Sequence, residues 1–419
     1  MTIPGDLAYL RSQRQELMLF AARSRLDRGF GWLDDVGAVD PEGLVELWIT
    51  ARMTHVFSLA TMVGDPQQPG GPSAQDLRAL AGHGISAVRA SLADTEFDGW
   101  FPSVDARTVP TSTDKTAYGH AFVILAASSG RAAGIAGAEE LLADALEVSA
   151  RHFWDEEVGL VVDEWDRTWT RLAAYRGINA NMHTVESYLA AADVTGDRLW
   201  RDRALRIVER VCGWARAHAW RIPEHFDAGW QPLLEFNADI PADPFRPYGA
   251  TVGHGFEWAR LFVTASRSCD PQTRARLLDS AVALTDRAIE DGWARDGADG
   301  FIYTTDWQGH PVIRNRMHWV LAEALNTGWV LDQALGASRY QQWRERWWRY
   351  ADRCFVDHVG GSWHHELDEK NQPVESTWHG KPDIYHCYQA ALIPTVPIAG
   401  SLVAAVAREW GGDVPPADC

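Results

Sequence analysis

The segments Asn179-Ala-Asn-Met-His-Thr-Val-Glu186 and Gly253-His-Gly-Phe-Glu-Trp258 each carry a histidine near the start of a run with helical periodicity. Four further runs do the same, so that a histidine recurs every 63 to 71 residues along most of the chain. A recurrence of this length predicts one supersecondary unit repeated six times. The six residues are His55, His120, His183, His254, His318 and His386.

Twelve segments with apolar residues at helical spacing provide two helices for each repeat. The connections alternate between short turns and long segments, and two of the long ones, 300–312 and 361–374, alternate as short β-hairpins do. We therefore predict an all-α fold, a single (α/α)6 barrel (toroid) over residues 1–419. Even-numbered helices would form its inner ring, with the long connections at one mouth. The predicted helices span 6–27, 41–63, 74–93, 114–130, 137–153, 178–195, 197–217, 250–267, 271–291, 314–336, 338–356 and 383–407.

The composition excludes several classes of protein. The chain has 419 residues and a net charge of −18, whereas a nucleic-acid partner requires clustered Lys and Arg. No segment reads cleanly as the ~20 apolar residues of a membrane span, and the N-terminal residues lack the apolar region of a signal peptide. Five widely spaced cysteines without a CxxC pair argue against a disulfide framework and favour the cytoplasm: Cys212, Cys269, Cys354, Cys387 and Cys419.

The histidines also suggest proton-transfer chemistry. His254 and Glu257 are three residues apart, so both lie on one helix face, and a carboxylate beside an imidazole fixes its tautomer. His183 and Glu186 repeat this spacing, and His386 opens the last inner helix. Two histidines that converge on one substrate would serve as acid and base. The alternative is that some of the six only bond to loop carbonyls.

Other polar and aromatic residues near the predicted mouth fit a sugar ligand. Arg52 would offer a planar fork of donors to hydroxyl groups or to an oxyanion, or would form an internal salt bridge. Trp48, Trp319 and Trp378 could stack on the C–H face of a pyranose. Most of the 21 tryptophans are expected to be packing residues.

Metal catalysis is the main rival for the His and Glu residues, because such pairs can ligate a metal. However, the sequence has no HExxH motif, no Cys/His ligand set and no Asp-rich loop. The usual nucleotide-binding and serine-hydrolase motifs are also absent. We predict no metal and no other cofactor.

Six segments together resemble the N-acylglucosamine 2-epimerase superfamily of (α/α)6-barrel sugar isomerases and epimerases, and within it the aldose–ketose isomerase branch. The resemblance runs from residue 48 to 386 and thus covers nearly the whole chain. The segments are Trp48-Ile-Thr-Ala-Arg-Met-Thr-His55, Lys115-Thr-Ala-Tyr-Gly-His-Ala-Phe122, Asn179-Ala-Asn-Met-His-Thr-Val-Glu186, Phe245-Arg-Pro-Tyr-Gly-Ala-Thr-Val-Gly-His-Gly-Phe-Glu-Trp258, Arg316-Met-His-Trp-Val-Leu-Ala-Glu323 and Gly380-Lys-Pro-Asp-Ile-Tyr-His386.

The resemblance implies that His254 and His386 are the acid/base pair and that no metal is needed. It further implies conversion of a neutral sugar, D-mannose to D-fructose through a cis-enediol, with D-lyxose as a lesser substrate. A sulfonated sugar would need cations near His386; Lys381 is the nearby one, and Arg246 keeps this alternative open. The residues expected to bind substrate are Trp48, Arg52, Tyr118, Asn179, His183, Arg246, Glu257, Trp319, Glu323 and Trp378.

Three alternatives to this isomerase remain. Reprotonation of C2 from the opposite face would make the protein a sugar 2-epimerase. An inverting glycoside hydrolase would need two opposed carboxylates, for which Glu257 and Glu323 are the candidates. A sugar-binding or protein-interaction solenoid would show no turnover. The expected partner is a monosaccharide, with no nucleic acid or membrane, and the chain is expected to be a monomer or weak homodimer.

Overall fold

The computed structural model describes residues 3–415, so that Cys419 lies outside the described residues. The described chain contains thirteen α-helices and divides into two compact units. The early unit comprises residues 18–207, 382–385 and 399–415, and the late unit comprises residues 3–17, 208–381 and 386–398. The prediction of a single domain stays a prediction.

The early unit has two layers of helices. Helices α2 (Leu47–Val63), α4 (Ala117–Ala132) and α6 (Ile178–Thr195) are buried along nearly their whole length. Helices α3 (Ala74–Ala90) and α5 (Ala138–Val148) pack against them and keep an exposed polar face. Buried and amphipathic helices therefore alternate along the chain, as predicted for inner and outer helices.

The late unit repeats this arrangement. Helices α8 (Val252–Ser266) and α10 (His318–Leu335) are buried. Helices α9 (Pro271–Gly292) and α11 (Gln341–Tyr350) are the partly exposed partners of α8 and α10. The remaining helices are α1 (Leu7–Ala21), α7 (Arg198–Ala217), α12 (Tyr385–Leu392) and α13 (Leu402–Trp410).

Short strands lie in the long connections. Two of them, β13 and β14, form the hairpin predicted at 300–312, and β16 lies in the second predicted segment, where Leu367 pairs back with Pro373. The strands are β1 Arg25–Leu26, β2 Gly29–Phe30, β3 Val45–Glu46, β4 Ser103–Val104, β5 Pro110–Ser112, β6 Lys115–Thr116, β7 Trp154–Asp155, β8 Leu160–Val161, β9 Glu164–Trp165, β10 Arg176–Gly177, β11 His225–Phe226, β12 Ala250–Thr251, β13 Thr304–Thr305, β14 Pro311–Ile313, β15 Arg316–Met317 and β16 Glu366–Leu367.

The strands anchor the N-terminal ends of the buried helices. β3, β6, β12 and β15 run directly into α2, α4, α8 and α10, and each pairs with a later connection. The first helical N–H groups, which have no partner inside a helix, donate to carbonyls of those connections. Those bonds are Leu47 to Pro102, 2.9 Å; Ala117 to Asp163, 2.8 Å; Val252 to Tyr303, 3.1 Å; and His318 to His365, 3.1 Å.

The last predicted helix, 383–407, is wrong as a single element. It is two helices, α12 and α13, separated by a 3₁₀ turn at Ile393–Thr395. Pro394 and Pro397 explain the break, because proline lacks the N–H of the helical ladder and its ring clashes with the preceding turn. Ser401 caps α13 by accepting from Ala404 N–H and also donates to the Asp193 carboxylate at 2.8 Å. α13 packs against α2, α4 and α6 within the early unit.

Two of the three lysines lie in buried ion pairs. Lys115 Nζ is 3.0 Å from the Asp94 carboxylate, and Lys381 Nζ is 2.6 Å from that of Asp357. Lys370 is exposed, in the turn between Leu367 and Pro373. Among the described residues, no helix combines the length and the apolarity needed to cross a bilayer.

Candidate functional site

The two predicted acid/base histidines belong to the late unit, where an indole lies between them. His254 is in the first turn of α8 and His386 in the first turn of α12. The Trp319 ring centroid is 5.2 Å from that of His254 and 5.8 Å from that of His386, with both imidazoles tilted by about 40°. The two histidines and Trp319 therefore form one continuous aromatic group.

A glycine makes this close packing possible. A Cβ atom added to Gly253 would lie 2.2 Å from Cζ3 of Trp319 and 2.8 Å from Cγ2 of Val320. Both distances are far below ordinary carbon–carbon contact, which is about 3.5–4.0 Å. The absence of a side chain at Gly253 thus lets Trp319 pack closely against α8 beside His254.

The prediction that Glu257 is the carboxylate partner of His254 is wrong. Glu257 lies one turn further along α8 and reaches Arg260, 3.7 Å away. The Nδ1 atom of His254 instead lies 2.9 Å from Oε2 of Glu224, in the connection that precedes α8. Spacing along a helix shows which residues share a face, but not which carboxylate another segment brings to the same imidazole.

His386 has a more heavily charged surrounding. Its Nδ1 atom is 3.1 Å from Oε1 of Glu323, whose other oxygen accepts from Arg260 Nε at 2.8 Å. Burial alone would raise the pKa of the Glu323 carboxyl, but Arg260 and His386 outweigh it and lower this pKa. Glu323 is therefore an ionised carboxylate that orients His386 and shares Arg260 with Glu257.

Arg52 lies at the centre of a second group, within the early unit. Its guanidinium is 3.2 Å from the Asp383 carboxylate and 3.0 Å from the Tyr118 hydroxyl, with the Trp48 and Phe122 rings at 5.0 and 4.4 Å. Burial disfavours its charge, yet Tyr118 and Asp383 outweigh that effect and raise the pKa of Arg52. The two roles predicted for Arg52, an internal salt bridge and a planar set of hydrogen-bond donors, are thus compatible.

His183 adjoins this group through aromatic contacts. Its ring centroid is 5.4 Å from that of Tyr118 and 4.5 Å from that of Phe122. Its Nδ1 atom is 3.6 Å from Oε2 of Glu186, as their spacing predicted, and the Tyr385 hydroxyl donates to the same carboxylate. Asn179 lies one turn before His183, and its buried Oδ1 has no hydrogen-bond partner in the described part of the chain.

Arg246 and Trp378 lie in two long connections of the late unit. The Trp378 ring meets Phe245 edge-on, with centroids 5.0 Å apart. Arg246 is half-buried, and its backbone N–H donates to the Asp243 carboxylate. Lys381, the cation considered for a sulfonate, is fully buried and also donates to the Gly361 carbonyl at 2.8 Å. Its charge is therefore already compensated inside the fold.

The other three recurring histidines bond to backbone carbonyls or to a hydroxyl group. His120 bonds to the Thr116 carbonyl and accepts from Trp100 N–H, and burial lowers its pKa to about 3. His318 contacts the His365 carbonyl at 3.2 Å. His55 lies in the middle of α2, where Ser129 is its partner at 2.6 Å. The expectation that every one lies near a helix start is therefore wrong for His55.

Sequence reasoning missed four residues that hold the candidate groups in place. Asp383 and Tyr385 lie in the segment that resembles the family but were not predicted to be site residues, although Asp383 pairs with Arg52. Glu224 and Arg260 were not singled out, and no periodicity connects Glu224 to His254. For Arg260 a signal existed, because it follows Glu257 by one helical turn.

Comparison with known proteins gives consistent matches. The model of the family N-acylglucosamine 2-epimerase (GlcNAc 2-epimerase) matches residues 29–390. A D-mannose isomerase of Thermobifida fusca is 47% identical, over 96% of this chain and 97% of its own. A D-mannose isomerase of Pseudomonas cannabina pv. alisalensis is 44% identical, over 96% of each chain.

A solved structure supports the same relationship. A crystal structure of a D-mannose isomerase superposes with a TM-score of 0.85 at 26% identity, and the match covers 94% of this chain and 99% of that one. The likeness extends over both units of the chain. It confirms the predicted all-α (α/α)6-barrel fold class.

Proposed function

The chain belongs to the N-acylglucosamine 2-epimerase family, and from that premise we propose that it is an isomerase that interconverts D-mannose and D-fructose. The observation that carries this assignment is the match of two D-mannose isomerases over 96% of the chain at 44 and 47% identity. The substrate is a small sugar. The two imidazoles beside Trp319 provide groups suited to the required proton transfers.

The reaction moves one hydrogen between carbons and one between oxygens. The pyranose first opens, which needs a proton at the ring oxygen and removal of the O1 proton. A base then takes the proton from C2 while O1 gains a proton, which gives a cis-enediol. A proton is next delivered to C1 while O2 loses its proton and becomes the carbonyl oxygen. We propose that His254 and His386 carry these protons. The Nδ1 atom of each lies against a carboxylate, Glu224 or Glu323, which favours the imidazolium that forms when the ring takes up a proton.

The remaining candidates are proposed to bind the sugar. Arg52 is charged and rigidly held, so its guanidinium suits a hydroxyl or an enediolate oxygen. Trp319 offers its half-buried face to the carbon skeleton. The same role, binding of hydroxyl groups or ring faces, is proposed for Trp48, Tyr118, Asn179, His183, Arg246, Glu257, Glu323 and Trp378.

Two features weigh against the alternatives. A sulfonated sugar would need a cation near His386, but Lys381 is committed to Asp357, so that this alternative depends on Arg246. An inverting hydrolase would need one of Glu257 and Glu323 as a protonated acid. Glu323 has a lowered pKa, and both carboxylates lie within 3.7 Å of the Arg260 guanidinium. We further propose action in the cytoplasm as a monomer or weak homodimer, without metal.

The test is incubation with D-mannose in deuterium oxide, with and without EDTA, followed by NMR of the products. We expect fructose with solvent deuterium at C1 and no effect of EDTA. Parallel incubations with D-lyxose, N-acetylglucosamine, a sulfonated glucose and an oligosaccharide distinguish the isomerase from an epimerase and a hydrolase. No fructose in any arm would refute the proposed substrate.

Variants then test the two histidines. His254→Ala and His386→Ala should each abolish turnover while circular dichroism stays unchanged. His310→Ala is the matched control, since His310 is 75% exposed at a hairpin turn. A near-normal rate in either of the first two variants would remove that histidine from the mechanism.

A further inference from the structure

Glu224 is a buried carboxylate that the mechanism above does not use. Its side chain is 5% exposed, and Oε2 is 2.9 Å from Nδ1 of His254. Oε1 is buried without a hydrogen-bond partner in the described residues. A buried carboxylate costs free energy unless it is paired. Among the described residues, the contact with His254 provides this pairing.

The connection before α8 holds Glu224 in a fixed position. The next residue, His225, donates from Nε2 to the Pro247 carbonyl at 2.9 Å and lies against Phe236. The His225 carbonyl accepts from Leu233 N–H at 2.8 Å, which closes a hairpin around a turn at Asp227. Backbone and side-chain bonds of the residues that follow Glu224 thus hold this connection in place before any substrate arrives.

Glu224 differs from the carboxylate of the other histidine. Glu323 divides its two oxygens between His386 and Arg260. Within the described residues, Glu224 forms its ion pair with His254. Loss of the Glu323 charge would therefore disturb both His386 and Arg260, whereas loss of the Glu224 charge acts chiefly on one imidazole.

We infer that Glu224 is the positioning residue of His254: it keeps the proton on Nδ1, fixes the ring plane beside Trp319, and so presents Nε2 to the substrate. This inference rests on the proposed isomerase function. A carboxylate on Nδ1 also favours the imidazolium that forms when Nε2 takes up a proton. Glu257, which shares the helix with His254, acts on Arg260 and does not supply this contact.

The test compares Glu224→Gln, Glu224→Asp and the control Glu235→Gln. Gln keeps an oxygen that can accept from Nδ1 but removes the charge, and Asp keeps the charge one methylene further away. Glu235 is an exposed carboxylate of the same connection. We expect Glu224→Gln to lower kcat about 10²-fold with KM within about threefold of the unsubstituted enzyme. Glu224→Asp should be intermediate, and Glu235→Gln should leave both constants unchanged.

A second readout does not depend on turnover. Long-range nitrogen–proton NMR, with the His254 signals assigned from a His254→Asn sample, reports which ring nitrogen carries the proton. We expect Nδ1–H in the unsubstituted protein and a mixture of tautomers in Glu224→Gln. An Nε2–H tautomer in the unsubstituted protein, or a Glu224→Gln variant with unchanged tautomer and kcat, would overturn the inference. A protein without mannose turnover would refute the proposed function, while the NMR result would still decide the link between Glu224 and His254.

Discussion

Substitution of Gly253 by alanine tests whether the contact between Trp319 and α8 sets up the two histidines. The new Cβ would lie 2.2 and 2.5 Å from two indole carbons of Trp319, at least 1 Å inside the usual contact distance of about 3.5 Å. The indole has little room to move, because Tyr303 meets it edge-on and His254 and His386 flank it. Val320, 2.8 Å from the added atom, is fully buried in α10.

Two opposing contributions determine the effect on stability. Alanine is better than glycine by about 1 kcal/mol in a helix interior and by less at Gly253, which lies in the first turn of α8, while overpacking a core costs about 1–3 kcal/mol. The free energy of unfolding should therefore fall by no more than about 3 kcal/mol. Activity should suffer more, since a misplacement of about 1 Å at reacting groups can cost about 10²-fold in rate.

The assay is kcat/KM for D-mannose together with urea unfolding of the same samples. Gly255→Ala is the matched control: it makes the same change two residues along α8, but its Cβ would meet Ala288 at 3.2 Å, on α9. We expect Gly253→Ala to lose about 10²-fold in kcat/KM and Gly255→Ala to keep most of its activity. Equal activity in the two variants would refute the view that the Trp319 contact positions the histidines.

Two further predictions concern stability. Burial opposes ionisation of Asp357, but Lys381 outweighs it and lowers the pKa of Asp357 to about 2. Because the pKa is lower in the folded state, the carboxylate contributes about 2 kcal/mol to the free energy of unfolding above pH ~4. This contribution is lost as the pH falls through about 2. Urea unfolding across pH should show the deficit of Asp357→Asn shrinking in acid, and a deficit that grows in acid would contradict the assignment. Ser401→Ala should lower the free energy of unfolding by about 1 kcal/mol and leave the KM for mannose unchanged, because Ser401 caps α13; a changed KM would contradict a purely structural role.

The helices were predictable because the apolar residues that a helix buries recur in the sequence at helical spacing. α2, α6 and α10 end at glycines with left-handed backbone, Gly64, Gly196 and Gly336, which is a local signal for a helix end. The prediction of a single helix over 383–407 was wrong because apolar residues continue through Pro394 and Pro397. There the loss of backbone hydrogen bonds outweighs the apolar pattern.

The candidate residues were predictable as chemical types but not as partners. His254 and His386 were recognised, and the structure brings them to the same indole. The pairing of His254 with Glu257 followed helical spacing, yet Glu224 is thirty positions earlier in a connection without periodicity. Contacts of this kind depend on how the long connections fold back, which hydrophobic patterning does not encode.

The burial of Lys115 and Lys381 has a consequence for handling the enzyme. Both amines are inside ion pairs, so that of the three lysine side chains Lys370 is the one open to amine-reactive reagents. It lies in a tight turn of the connection that precedes α12, where Asp368 accepts its backbone N–H at 2.8 Å. Among the lysines, an aldehyde- or ester-activated support would thus couple through this turn.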